Sequence, residues 1–384
     1  MLTLGINFVN FKTSIKIKSL KKKFTSLINE NNEIIKSLSK NYKDSYKKNN
    51  IIKYKKNSEF RVIGIGGSSL GIQAIYNFLK HKVKNKFIFI DNLIFEQKKY
   101  KKKKFTNLII SKSGNTIETI VNSNILIKNT DKNIFITENK KNYLHILAKK
   151  LKAEVVHHNN YIGGRYSVLS EVGMLPAELM GLKSGSFRQL NSLIKNKKFI
   201  NSLVSNVSST LFFIKKKKFN SVIINYDEKS DNLFKWYQQL VAESLGKNKK
   251  GLFPIVSSMP KDNHSVMQLY LDGLQNSFFT FFYVHEKKTE KIKNNLVLPS
   301  QKYLRNKDVS KIIFAQKKAT ENVFKKKNIP FRSFEINKRD EATLGELFCF
   351  FLLETILIGK SLNINPYDQP AVELIKKETK KILI

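Results

Sequence analysis

Short apolar runs alternate with polar stretches along most of the chain. Phe60 to Ile65, Lys86 to Asp91, Asn107 to Ser111 and Asn133 to Thr137 have strand length, and each is followed by a segment of helical spacing or a polar loop. This alternation predicts a parallel sheet, whose strands are covered on both faces and so read as nearly continuous apolar runs. A second set follows at Ser221 to Tyr226, Gly251 to Val256, Phe278 to Val284 and Pro330 to Ile336. The fold class predicted is α/β with two doubly wound parallel-sheet layers. Residues 1 to 50 read as a Lys-rich helical lead. From Glu341 the pattern predicts a long apolar helix, a turn at Asn365-Pro366 and a last helix entered after Pro370. No Gly/Ser linker marks a boundary, but Lys183-Ser184-Gly185-Ser186 places one near 184 to 191. The expected domains are therefore 51–188 and 189–340, followed by a C-terminal helical arm, 341–384.

Composition narrows this picture. A chain of 384 residues with 41% hydrophobic content has the length of two ordinary domains and can bury a large core. Its one cysteine, Cys349, lies in an apolar run and excludes a disulfide framework or a cysteine-rich metal site. No ligand cluster predicts a metal. The first ten residues lack the basic n-region of a signal peptide. The segment Leu344 to Ile358 carries Glu346 and Glu354 and is read as too short and too charged to span a bilayer. These features predict a cytoplasmic protein with no membrane partner. The formal charge of +40 would ordinarily suggest nucleic acid. The lysine runs Lys21 to Lys23, Lys101 to Lys104, Lys215 to Lys218 and Lys325 to Lys327 are instead scattered, and nearly free of the Arg and aromatic side chains that read bases. No nucleic-acid partner is expected.

The most informative stretch is Ser111-Lys112-Ser113-Gly114-Asn115-Thr116, directly after an apolar run. Three hydroxyls, one ammonium and the free N–H groups of a helix N-terminus can converge on a phosphate dianion. The bland alternative is an ordinary helix cap, which would need one hydroxyl. The first strand runs into Gly64-Ile65-Gly66-Gly67-Ser68-Ser69-Leu70-Gly71. A dinucleotide fingerprint would want Gly at position 69, although Asp91 does end the next strand. The same glycines could let backbone N–H groups approach a small ligand with Ser68 as an extra donor, or form a plain turn. The motif alone does not choose.

Further clusters add chemistry. Gly163-Gly164-Arg165 sets a guanidinium after two permissive glycines, suited to stabilising an anionic oxygen. Trp236 to Lys247 reads as a helix ended by Gly246, with Gln239 and Glu243 on one face. His264 stands among hydrogen-bonding neighbours in Asp262-Asn263-His264-Ser265. Gln369 and Lys376 are seven apart and share a face if the last helix begins that early.

In these residues the chain resembles the glucose-6-phosphate isomerase family of compact bacterial type. The segments GIGGSSLG, SKSGNTIET, GGRYSVLSEVGMLPAEL, QQLVAESLGK, DNHS and LGELFCFFLLETILIGKSLNINPYDQPAVELIK follow that family's order between residues 64 and 376. The resemblance implies two sugar-isomerase domains of flavodoxin-like type, interconversion of glucose 6-phosphate and fructose 6-phosphate through an enediolate, no cofactor, and a homodimer with a shared active site. It implies that Gly67 and Ser68 touch the sugar, that Ser111, Lys112, Ser113 and Thr116 hold its phosphate, and that Arg165 lies against the enediolate. Glu243 would be the base, with Gln239 and Gln369 beside the substrate. Lys376, and His264 supplied by the neighbouring subunit, would assist ring opening. Proton abstraction next to a carbonyl needs such a set, a carboxylate base with a cation near the oxygen.

Three positions depart from the family: Asn263 replaces Gln, Ile375 replaces a Gly before the lysine, and Ala371 replaces a Gly after the proline. Ile375 adds bulk beside Lys376. Two other functions compete. A phosphosugar-sensing module would bind without turnover and would need neither Glu243 nor His264. A nicotinamide oxidoreductase would need Gly at position 69.

Overall fold

The computed structural model describes residues 2–13, 18–56, 59–96, 104–128 and 130–384. Of the Lys101 to Lys104 run, only Lys104 is among them. Ten strands occur in the described residues: β1 Ile6–Val9, β2 Glu59–Ile63, β3 Lys86–Ile90, β4 Thr106–Ile110, β5 Lys132–Glu138, β6 Glu154–His158, β7 Asn220–Asn225, β8 Phe253–Ser258, β9 Ser277–Val284 and β10 Phe331–Ile336. They form two five-stranded sheets in two compact units.

One unit comprises Lys18–Asn196, Asn232–Gly251 and Asp340–Ile384. Its sheet is wholly parallel, in the order β3-β2-β4-β5-β6. The five residues of β4 are all buried, as a strand covered on both faces requires. Counted from β2, the order is 2-1-3-4-5, and the connection reverses direction between β2 and β4. Parallel sheets of this order open a crevice at the carboxyl ends of those two strands, and ligands bind there. The loops that leave β2 and β4 are the Gly64 to Ser69 and Ser111 to Thr116 segments.

The same unit is built around helix Glu341–Ser361, capped by Asp340, whose side chain accepts from the Thr343 N–H. It exceeds the expected Leu344 to Ile358 segment at both ends and is long and apolar enough to cross a membrane, but 89% of its apolar window is buried inside the protein. It is a core helix. Helix Asp231–Leu245 packs on it through Trp236 against Phe348, ring centroids 4.8 Å apart, and Tyr237 against Phe351 at 4.7 Å. Each buried aromatic contributes roughly 2–3 kcal/mol, and together they fix the helix that carries Gln239 and Glu243. Residues 232–251, assigned from sequence to the second-sheet domain, thus cluster with the first sheet.

The other unit comprises Met1–Ile17, Lys197–Asp231 and Leu252–Arg339. Its sheet runs β1-β10-β9-β7-β8, parallel except for β1, which pairs antiparallel with β10 in the register Ile6 to Ile336. Residues 6–9, expected in a helical lead, are this edge strand, because pairing with β10 satisfies their backbone. The parallel strands repeat the 2-1-3-4 order. At the carboxyl ends of β7 and β9, however, Arg339 Nη2 lies 2.6 Å from Asp227 Oδ1 and 2.8 Å from Glu286 Oε1. Asn225 Nδ2 donates to Asp231 Oδ1 at 2.6 Å. The crevice of this sheet is met by its own ion pairs.

Candidate active site

The first-sheet crevice begins with backbone geometry. Gly66 adopts φ +57°, and a Cβ there would lie 2.8 Å from Gln239 Nε2. At Gly67 a Cβ would stand 2.1 Å from the Gly164 carbonyl carbon and 2.5 Å from Arg165 N. Only glycine lets these two backbones approach so closely. Ser68 sits half-buried beside them. Ser69 is buried, and its Oγ accepts from Gln73 Nε2 at 2.7 Å, while the same amide donates to Asp91 Oδ2 at 2.7 Å. Asp91, the acid a dinucleotide site would aim at a ribose, is engaged within the fold.

The β4 loop forms the second wall. Gly114 takes φ +65°, with Asn142 Oδ1 only 2.0 Å from where a Cβ would be. Thr116 occupies the N-cap of helix Ile117–Leu126 but makes no capping hydrogen bond. Its Oγ1 pairs instead with Ser111 Oγ at 2.9 Å. The ordinary side-chain cap at this helix start is not made. Ser113 is exposed at the loop tip and accepts from Asn115 N at 3.3 Å. Lys112 Nζ stands 3.5 Å from Glu138 Oε1, a long pair whose carboxylate is shared with Lys140 at 3.4 Å. Behind it His158 is held down to about 4, first by burial and then by the Lys112 charge, and so is neutral near pH 7.

Arg165 joins the remaining segments. It is 1% exposed, and all five N–H donors are used. Nε donates to Ser244 Oγ at 2.8 Å, Nη1 to Glu243 Oε2 at 3.2 Å and to Gln369 Oε1 at 2.5 Å. Nη2 donates to the carbonyls of Pro366 at 2.7 Å and Asp368 at 3.0 Å. Gln239 Nε2 donates to Glu243 Oε1 at 2.9 Å, as their four-residue spacing on one helix predicts. Glu243 is therefore a partly exposed carboxylate held between an amide and a guanidinium. The loop bearing Gln369 is pinned a second time by Lys247, whose Nζ lies 2.7 Å from Asp368 Oδ1 and holds that carboxyl below its usual range.

The other two expected members are Lys376 and His264. The last helix is Val372–Leu383, so Gln369 precedes it and does not share its face with Lys376. Lys376 is exposed and pairs with Glu373 at 2.6 Å, and Ile375 beside it is also exposed. His264 is exposed in the second-sheet unit. Sequence reasoning missed Ser244, Tyr166 and the carbonyls of Pro366 and Asp368. Their partners are some 80 to 200 positions distant, around Arg165, and no local pattern signals them.

The phosphoglucose isomerase family model matches residues 12–384. The chain belongs to the phosphoglucose isomerase family. Among curated relatives, it is 32% identical to a glucose-6-phosphate isomerase of Methanocaldococcus jannaschii over 88% of both chains. It is 32% identical to that of Mycoplasmopsis pulmonis over 84% of this chain and 82% of the relative. Among solved structures, a hypothetical protein from Thermus thermophilus matches with TM-score 0.83 and 21% identity, covering 96% of this chain and 94% of the other. A glucose-6-phosphate isomerase from Chlamydia trachomatis matches with TM-score 0.70 and 17% identity, covering 97% and 76%. These structural likenesses show the fold, two five-stranded, mostly parallel sheets flanked by helices.

Proposed function

We propose that the chain interconverts glucose 6-phosphate and fructose 6-phosphate through an enediolate. The observation that carries this reading is the placement of Glu243 between Arg165 and Gln239, in the unit whose strand-end crevice also bears an uncapped, hydroxyl-lined helix start. A carboxylate beside a fixed cation suits proton removal next to a carbonyl, where the new negative oxygen needs a ready-made positive partner. In this reading Ser111, Lys112, Ser113 and Thr116 hold the phosphate, and Gly67 and Ser68 meet the sugar hydroxyls. Gln239 and Gln369 flank the carbon chain. Glu243 moves one proton between C1 and C2 in either direction, while Arg165 stabilises the enediolate oxygen. No step calls for a metal or cofactor.

His264 and Lys376 would open the sugar ring, with His264 supplied by the neighbouring subunit of a homodimer. Two observations support the dimer. His264 is exposed on its own unit, and helix Val372–Leu383 presents Leu374, Ile375, Ile382 and Leu383 to solvent, each at least 65% exposed. A cytoplasmic setting belongs to the same reading. The experiment is a coupled assay of purified protein with fructose 6-phosphate, with no nicotinamide in the isomerisation step. Formation of glucose 6-phosphate is expected. Binding without turnover would make the protein a sugar-phosphate sensor.

A further inference from the structure

Arg165 is held from behind by a chain of hydroxyls that the reaction itself does not use. Ser244 Oγ receives Arg165 Nε at 2.8 Å and lies 2.7 Å from Tyr166 Oη. Tyr166 Oη lies 2.8 Å from the Pro366 carbonyl. A carbonyl can only accept and Nε–H can only donate, so one proton arrangement satisfies every group. Nε–H points to Ser244, the Ser244 hydroxyl to Tyr166, and the Tyr166 hydroxyl to Pro366. Both side chains are wholly buried, and burial raises the Tyr166 pKa, which keeps the phenol as a donor.

We propose that Tyr166 and Ser244 are positioning residues for the isomerisation, fixing the plane of the Arg165 guanidinium relative to the Glu243 carboxylate. Nε–H lies in the plane of the rigid guanidinium, so its bond to Ser244 fixes that plane together with the Nη2 bonds to the carbonyls of Pro366 and Asp368. Ser244 directly follows Glu243 on one helix, Tyr166 directly follows Arg165, and Pro366 lies three residues before Gln369. The relay therefore ties together the three segments that carry the base, the cation and the neighbouring amide. Small errors in such alignment cost rate far more than ground-state binding, on the order of a hundredfold for 1 Å. The proposal rests on Arg165 and Glu243 having the roles given above.

The test compares Ser244→Ala, Tyr166→Phe and the double variant with wild type. The readouts are kcat, KM, melting temperature and affinity for two ligands: a hexitol 6-phosphate, which mimics the open-chain substrate, and a sugar-phosphate hydroxamate, which mimics the enediolate. Ser244→Ala should lower kcat about 10- to 100-fold and weaken the hydroxamate in parallel, with KM and hexitol affinity within about threefold. Tyr166→Phe keeps the ring and should lower kcat about three- to tenfold by the same route. The double variant should resemble Ser244→Ala within about threefold, since the phenol acts through the serine. If Ser244→Ala does not fold, Tyr166→Phe carries the test. A folded Tyr166→Phe or Ser244→Ala with kcat within about twofold of wild type, or one that weakens both ligands equally, overturns the proposal. Glu243→Gln run alongside separates the two levels. If it remains active, the site reading has failed; if it is inactive and the hydroxyl variants are normal, only the positioning role has.

Discussion

Arg165 Nη1 lies 3.2 Å from Glu243 Oε2, and Gln239 donates to the other carboxylate oxygen at 2.9 Å, so the base is held by the cation and an amide at once. A lysine at 165 would keep the charge but replace five planar donors with three on a flexible stem. It could not hold Ser244, Glu243, Gln369 and two carbonyls together. Arg165→Lys should lower kcat by roughly ten- to a thousandfold, the range for losing a preorganised oxyanion donor. Steady-state kinetics of the purified variant checks this. A healthy variant would move the electrophile elsewhere.

Lys112 reports on the phosphate cradle. Its pairing with Glu138 is long at 3.5 Å, which leaves the ammonium available to a stronger anion. Phosphate contacts are present in ground and transition states alike, so Lys112→Ala should raise KM about tenfold or more while kcat falls less. An unchanged KM would place the phosphate away from this loop.

Gly67→Ala tests the close approach of the two loops. The added methyl would stand 2.1 Å and 2.5 Å from backbone atoms of Gly164 and Arg165, which cannot turn aside as a side chain can. The Arg165 segment must shift. Activity should fall by at least about a hundredfold, with a melting temperature several degrees lower. Full activity would mean that the loops do not meet.

The elements legible in sequence were those with local signatures. Eight apolar runs became eight parallel strands, and the 111–116 motif landed where β4 enters a helix. The remaining two, β6 and β1, gave less: His157 and His158 read as strand-end residues with no apolar run before them, and Ile6–Val9 gave no strand signal. Residues 154–158 read Glu-Val-Val-His-His, polar enough to blur a sheet-edge strand, and Ile6–Val9 becomes a strand only because β10, over 320 residues away, offers its edge. Glu243 and Gln239 could be paired by helical spacing. The Arg165 hub could not, because its partners come from residues 243–244 and 366–369.

Acid should unfold the second-sheet unit through Glu335. Burial alone would raise its carboxyl, but donors from Lys317 at 2.5 Å and Lys318 at 2.6 Å outweigh it and bring the pKa from 4.5 to about 2. A depressed folded pKa stabilises the native state above the unfolded value, and that stability is lost as pH falls from about 4.5 toward 2. The contribution is at most about 3 kcal/mol after solvent screening, worth several degrees of melting temperature. Glu335→Gln should melt lower than wild type at pH 7, with the gap narrowing below about pH 4.5. A gap independent of pH would contradict this.

The central claim is that Glu243 carries one proton between C1 and C2. Conversion of fructose 6-phosphate to glucose 6-phosphate in deuterated water measures it directly, because a carboxylate that accepts the C1 proton can exchange it before returning it to C2. Wild type should give glucose 6-phosphate partly deuterated at C2. Glu243→Gln should give neither product nor exchange at C1, while its affinity for a hexitol 6-phosphate stays within about threefold of wild type. Product formation or C1 exchange in the Gln variant at near wild-type rates would contradict the account.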